Sequence, residues 1–137
     1  MFSVGPRASG TAAPGLGIWE VEDMITLEKL QDFGADVKTG LARCMGKEDF
    51  YLRMVSKALE DEAGIEKLKL AMGAEDIRGG FEAAHALKGV YGNLSLTPLY
   101  DPMSELTEIL RAGGFEGAPQ KYAAFCEKYE ELKKLFE

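Results

Sequence analysis

His85 is the only histidine in this 137-residue chain, and Lys88, Gly89 and Gly92 follow it at i+3, i+4 and i+7, a spacing that puts all four on one side of a helix. An imidazole is the side chain whose ordinary pKa leaves it largely neutral near pH 7, so one ring nitrogen keeps a lone pair able to attack phosphorus. A lysine one turn on can direct an ammonium at phosphoryl oxygens, where charge-assisted hydrogen bonds stabilise the transferring and the bound group. The two glycines are poor helix design on a solvent-facing stripe, each costing about 1 kcal/mol against alanine. What they offer is access, because a stripe without side chains lets a bulky phosphoryl group or another protein's backbone approach the ring. Close helix packing is the competing use of glycine, and spacing alone leaves both open. Phe81 lies one turn before His85 at the border of the stripe, where an aromatic ring suits partner docking.

The element that must position these residues is a helix from about Asp76 to Leu94. On its wheel Ala84, Leu87, Val90, Tyr91 and Leu94 gather on one broad side, which is expected to face the core and to leave His85 accessible. Gly79 and Gly80 weaken its first turns. Before it, Ile18, Val21, Ile25, Leu27 and Leu30 suggest a short amphipathic piece closed by Gly34, and Asp36 offers an N-cap to a second piece closed by Gly46. A longer helix is expected over Glu48–Glu62, resuming over Ile65–Met72 after an interruption at Gly64. After it, Thr97-Pro98 reads as a helix start with Thr97 as cap, but Pro102 demands either a kink or a later start with Asp101 as cap. Leu99, Met103, Leu106 and Leu110 form its apolar stripe. A last helix, about Pro119 to Phe136, aligns Tyr122, Phe125, Tyr129, Leu132 and Phe136.

No alternating β-branched run appears, so the fold class is all-α. Four substantial amphipathic helices on short connections predict an antiparallel up-and-down four-helix bundle, with short additional N-terminal helices packed against one end. Leu87, Tyr91, Leu106, Phe125 and Tyr129 are its expected core. The bundle domain spans residues 18–137, and residues 1–17, rich in Gly, Ala, Ser and Pro, read as a flexible leader or linker.

With 46% hydrophobic and 28% charged residues the chain has enough apolar material for one core. Its net charge of −7 argues against nucleic acid as a partner and against anionic membrane surfaces. No apolar run is long enough to span a bilayer, so no membrane insertion is expected and the reading is cytoplasmic. Cys44 and Cys126 show no metal-ligand or disulfide spacing, and one histidine without a Glu-x-x-His pair makes a metal or haem bundle a poor fit, so no metal and no cofactor of its own is expected. No Gly-rich nucleotide loop follows a strand, which argues against a complete kinase.

The segment Ala84-His85-Ala86-Leu87-Lys88-Gly89-Val90-Tyr91-Gly92-Asn93-Leu94 resembles the signature of histidine-containing phosphotransfer (HPt) domains, in which Lys at +3, Gly at +4 and a small residue at +7 surround the phosphorylated histidine. Asp76 upstream and Leu96-Thr97-Pro98-Leu99 with Glu105-Leu106 downstream are similar to the family as well. Ser95 stands where the family often has Gly, Pro102 interrupts a helix that is usually smooth, and Thr107 stands where some members carry a Gln that bonds the ring's other nitrogen. The resemblance implies a phosphocarrier without independent turnover, exchanging phosphoryl groups on His85 with the aspartate of a receiver domain in a response regulator or hybrid histidine kinase. It also implies that the receiver provides Mg²⁺. A receiver-binding or adapter bundle without phosphotransfer is the alternative.

Overall fold

The computed structural model describes residues 26–136, which fold into seven helices without a strand: α1 (Leu27–Phe33), α2 (Val37–Arg43), α3 (Glu48–Glu60), α4 (Ala63–Gly73), α5 (Ile77–Asn93), α6 (Thr97–Arg111) and α7 (Ala118–Leu135). The expected leader over residues 1–17 and the first part of the N-terminal amphipathic piece, residues 18–25, lie outside the described residues.

Helices α4 to α7 form the up-and-down bundle. Gly64 faces Leu87 and Gly80 faces Ala71, so α4 and α5 run antiparallel; Gly80 also meets Leu110, and Gly92 meets Tyr100, which sets α6 antiparallel to α5. Gly117 beside Ile109 and the Lys121–Glu105 ion pair reverse the chain once more into α7. Leu68, Ala84, Leu99, Met103, Leu106, Phe125 and Leu132 are fully buried between these helices, and the expected core residues Leu87, Tyr91, Leu106, Phe125 and Tyr129 all lie within it.

The long helix expected over Glu48–Glu62 ends one turn short of the expected break. Asp61 leaves helical geometry, and its side chain accepts a hydrogen bond from the backbone N–H of Ala63, starting α4 there instead of at Ile65. Helices α1, α2 and α3 close the end of the bundle where α5 stops and α6 begins. The backbone N–H of Asp36 donates to the carbonyl of Ser95 at 2.9 Å, and Gly34, in left-handed conformation, packs beside Pro98. The caps at Thr26 and Asp36 each accept from a backbone N–H three residues on, as sequence predicts for Asp36.

Helix α6 departs from both expected starts. Leu96 is the cap and Thr97 the first helical residue, and the helix runs straight through Pro102. Leu96 is fully buried, its N–H taken by Tyr91 and its carbonyl by Leu99 and Tyr100, so packing fixes the start one residue early. Pro102 lies near enough to the N-terminus that only one intrahelical bond, to Pro98, is forfeited.

Candidate functional site

Helix α5 carries His85 and the glycines around it. Asp76 caps it, its carboxylate accepting from the N–H of Gly79 at 3.0 Å, with the side chain so close over Gly79 that a Cβ there would collide with it. Gly80 is buried against Leu110 and Ala71. The pair of glycines that lowers helix propensity is thus where the cap folds back and where three helices come together.

At its other end α5 closes in a Schellman motif. The N–H of Leu96 bonds the carbonyl of Tyr91 and that of Ser95 the carbonyl of Gly92, while Ser95 itself takes a left-handed conformation with φ of 57°. No basic residue occupies the last turn of α5. The missing cation comes from α2 instead: the guanidinium of Arg43 donates to the carbonyl oxygen of Gly92 at 2.6 Å, favourably placed against the negative end of the helix.

Between these fixed ends, midway along α5, His85 is exposed, and Ala86, Gly89, Val90 and Asn93 continue the exposed face toward the C-terminus. Val90 corrects the helical wheel. It is 41% exposed where the wheel put it with the core, because α4 packs on α5 at Leu87, α6 at Gly92 and α7 at Tyr91, and none of the described helices covers the side of Val90. Lys88 is half-buried one turn after His85 and makes no ion pair among the described residues.

The two glycines of the stripe have different surroundings. A Cβ on Gly89 would meet nothing within 4 Å, whereas one on Gly92 would stand 3.1 Å from the Tyr100 ring. Gly89 is exposed, and Gly92 is where the Tyr100 ring of α6 packs on α5. Both line an open groove of about 470 Å³ that runs from Lys88 past Asn93 to Arg43 and Tyr100.

Phe81 does something the sequence reading did not assign to it. Its ring stacks on the imidazole of His85 with centroids 5.6 Å apart and planes 18° from parallel, a geometry worth about 0.5–1.5 kcal/mol for aromatic pairs. Phe81 is itself half-buried against the core, and the guanidinium of Arg111, at the end of α6, lies 5.1 Å from its ring centroid. Thr107 is fully buried and its hydroxyl donates to the carbonyl of Met103 at 2.7 Å. Among the described residues no side chain hydrogen-bonds to either nitrogen of His85. Arg111 carried no signal in the sequence, since its proximity to Phe81 exists only once α6 packs antiparallel on α5.

The described residues form an antiparallel helical bundle that presents the chain's one imidazole, exposed, from the middle of a helix anchored at both ends. The chain matches the Hpt domain family over residues 52–135, more than half of its length, and it belongs to that family. The match runs from within α3 to the end of α7 and leaves out α1 and α2. Comparison with curated proteins and with solved structures finds no match. Hpt domains serve histidine phosphotransfer in phosphorelays and exchange phosphoryl groups with receiver domains. Among the described residues no helix is long and apolar enough to cross a membrane, and no group of three or more His, Cys, Asp or Glu side chains is arranged to hold a metal ion.

Proposed function

We propose that this protein is a phosphocarrier in a phosphorelay, with His85 as the sole phosphoryl acceptor and donor. The observation that carries the reading is the exposed His85 at the centre of α5, inside the stretch that matches the family, with Lys88 beside it making no ion pair to the described residues and no described atom within 4 Å of a Cβ added at Gly89. A ring nitrogen of His85 attacks the phosphorus of a receiver's aspartyl phosphate; the P–N bond forms as the acyl P–O bond breaks, and the aspartate leaves as a carboxylate. The reverse step returns the group to an aspartate. Lys88 places positive charge beside the phosphoryl oxygens. The receiver, of a response regulator or hybrid kinase, brings the Mg²⁺, so the bundle's contribution is a positioned nucleophile.

Incubation with phosphorylated receiver domains tests this. The protein should take up phosphate that is lost in acid and survives alkali, as a phosphoramidate linkage does, and the His85→Gln protein should fold and take up none. Acid-stable phosphate, or phosphate on the His85→Gln protein, overturns the assignment. Binding of a receiver without any uptake would make the protein an adapter.

A further inference from the structure

The imidazole that carries the reaction needs a fixed ring plane, and no hydrogen bond from the described residues fixes it. We infer that Phe81 is the positioning residue of His85, holding the ring by stacking, and that Arg111 acts through Phe81 by clamping that ring from α6. The inference rests on the phosphocarrier reading above and adds to it how the nucleophile is oriented.

Three observations converge. The Phe81 and His85 rings are 18° from parallel at 5.6 Å, so Phe81 covers a face of the imidazole. Both ring nitrogens have their lone pair or N–H in the ring plane, so stacking restrains the plane while leaving either nitrogen unengaged. A hydrogen-bonding partner would use one of them and fix the tautomer. Second, Thr107 is turned away, its hydroxyl donating to the carbonyl of Met103, so it holds nothing on His85. Third, Phe81 packs against the core on one side and lies under the Arg111 guanidinium at 5.1 Å. Arg111 is in turn tethered by Glu108, 3.3 Å away. Swinging of the platform, and with it of the imidazole, is opposed from two elements at once. For a nucleophile that must meet phosphorus in line, loss of that alignment is costly, of the order of ten- to a hundredfold in rate.

The test exploits the single histidine, whose imidazole gives one set of NMR signals. In the native protein the His85 ring protons should be displaced by the ring current of Phe81, and Phe81→Leu should move them toward free histidine while slowing transfer from a phosphorylated receiver about ten- to a hundredfold. Phe81→Tyr, which keeps the ring, should recover both the displacement and most of the rate. Arg111→Met, an exposed change that spares the core, should move the same signals part of the way and slow transfer less. In the Phe81→Leu background Arg111→Met should add nothing, since its route to His85 is already gone. Ring signals unmoved by either variant overturn the inference, and so does a full extra loss from Arg111→Met in the double variant, which would mean that the guanidinium acts on the phosphoryl group directly. The NMR arm needs no phosphate. Signals that respond as stated in a protein that never takes up phosphate would sink the phosphocarrier reading and leave the stack standing.

Discussion

The hydroxyl of Tyr51 on α3 donates a 2.7 Å hydrogen bond to the carbonyl oxygen of Leu94, the residue that caps the histidine-bearing helix. The phenol is fully buried, and its ring lies so close to Gly40 on α2 that a Cβ there would be 2.5 Å from it. Tyr51 thus ties α2 and α3 to the end of α5.

Gly40→Ala should therefore destabilise the protein although alanine is the better helix former. The hydrogen bond to Leu94 prevents the Tyr51 ring from yielding, so α2 itself must shift, with overpacking costs of about 1–3 kcal/mol. Urea denaturation of the two proteins measures this. Equal or greater stability of the alanine variant would show that α2 moves freely on α3.

Burial pushes the Tyr51 phenol up to about 12, with the nearby Cys44 and Asp36 adding to the shift. Its pKa is raised in the folded state above the ordinary value near 10, so its contribution is fully present below pH 10 and is lost as pH rises toward 12. About two units correspond to roughly 2–3 kcal/mol. Tyr51→Phe should be less stable than the native protein at pH 8, for want of the hydrogen bond, and should lose less stability between pH 10 and 12. Parallel pH profiles for the two proteins would mean that Tyr51 is not titrating within the fold.

Ser95 occupies the left-handed position of the Schellman motif that ends α5, at φ of 57°. A non-glycine residue pays about 1–2 kcal/mol for that conformation, partly offset by glycine's greater freedom in the unfolded chain. Ser95→Gly is expected to raise stability by about 0.5–1 kcal/mol, read as a higher melting temperature. The carbonyl of Ser95 accepts from the backbone N–H of Asp36, a bond that the substitution keeps.

Most of the bundle was legible because local pattern and tertiary packing agree: the stripes of α6 and α7 are continuous, and Asp36 announces its helix by capping chemistry. What failed were places where a neighbour decides. Val90 satisfies the wheel, yet none of the described helices lies over it; Thr97 is a good cap, yet burial of Leu96 starts α6 earlier; the glycines before Phe81 weaken a helix in isolation, yet one faces its cap and the other a helix junction. In the proposed site, the shared exposed face of His85 and Gly89, with Lys88 beside it, follows from helical spacing alone. Arg111 could not, being 26 positions from His85 in sequence and brought near Phe81 by the α5–α6 turn.

Lys88→Ala should leave the melting temperature nearly unchanged, because Lys88 makes no ion pair among the described residues and such a lysine contributes little to folding. Phosphoryl transfer to His85 should fall by at least about tenfold, since charge next to phosphoryl oxygens acts in the transition state. Stopped-flow transfer from a phosphorylated receiver measures it. Transfer at the native rate in a folded Lys88→Ala protein would reduce Lys88 to a surface residue.

The two glycines of the stripe should part company on substitution. At Gly89 nothing stands within 4 Å of an added Cβ, so Gly89→Ala should raise stability by about 1 kcal/mol through helix propensity alone, and Gly89→Gln should raise it less while crowding the approach to His85. Transfer from a receiver should slow in the Gln variant even as the fold becomes more stable. At Gly92 an added Cβ meets the Tyr100 ring at 3.1 Å, and the carbonyl of the same residue is held by Arg43 at 2.6 Å, so neither the ring nor the backbone has much room to retreat. Gly92→Ala should therefore forfeit the propensity gain and melt at or below the native temperature. Melting curves and transfer rates for the three variants decide the matter together: if Gly92→Ala stabilises as much as Gly89→Ala, the α5–α6 contact is loose and Gly92 belongs to the open face, and if Gly89→Gln transfers as fast as the native protein, access over Gly89 is not what the stripe provides.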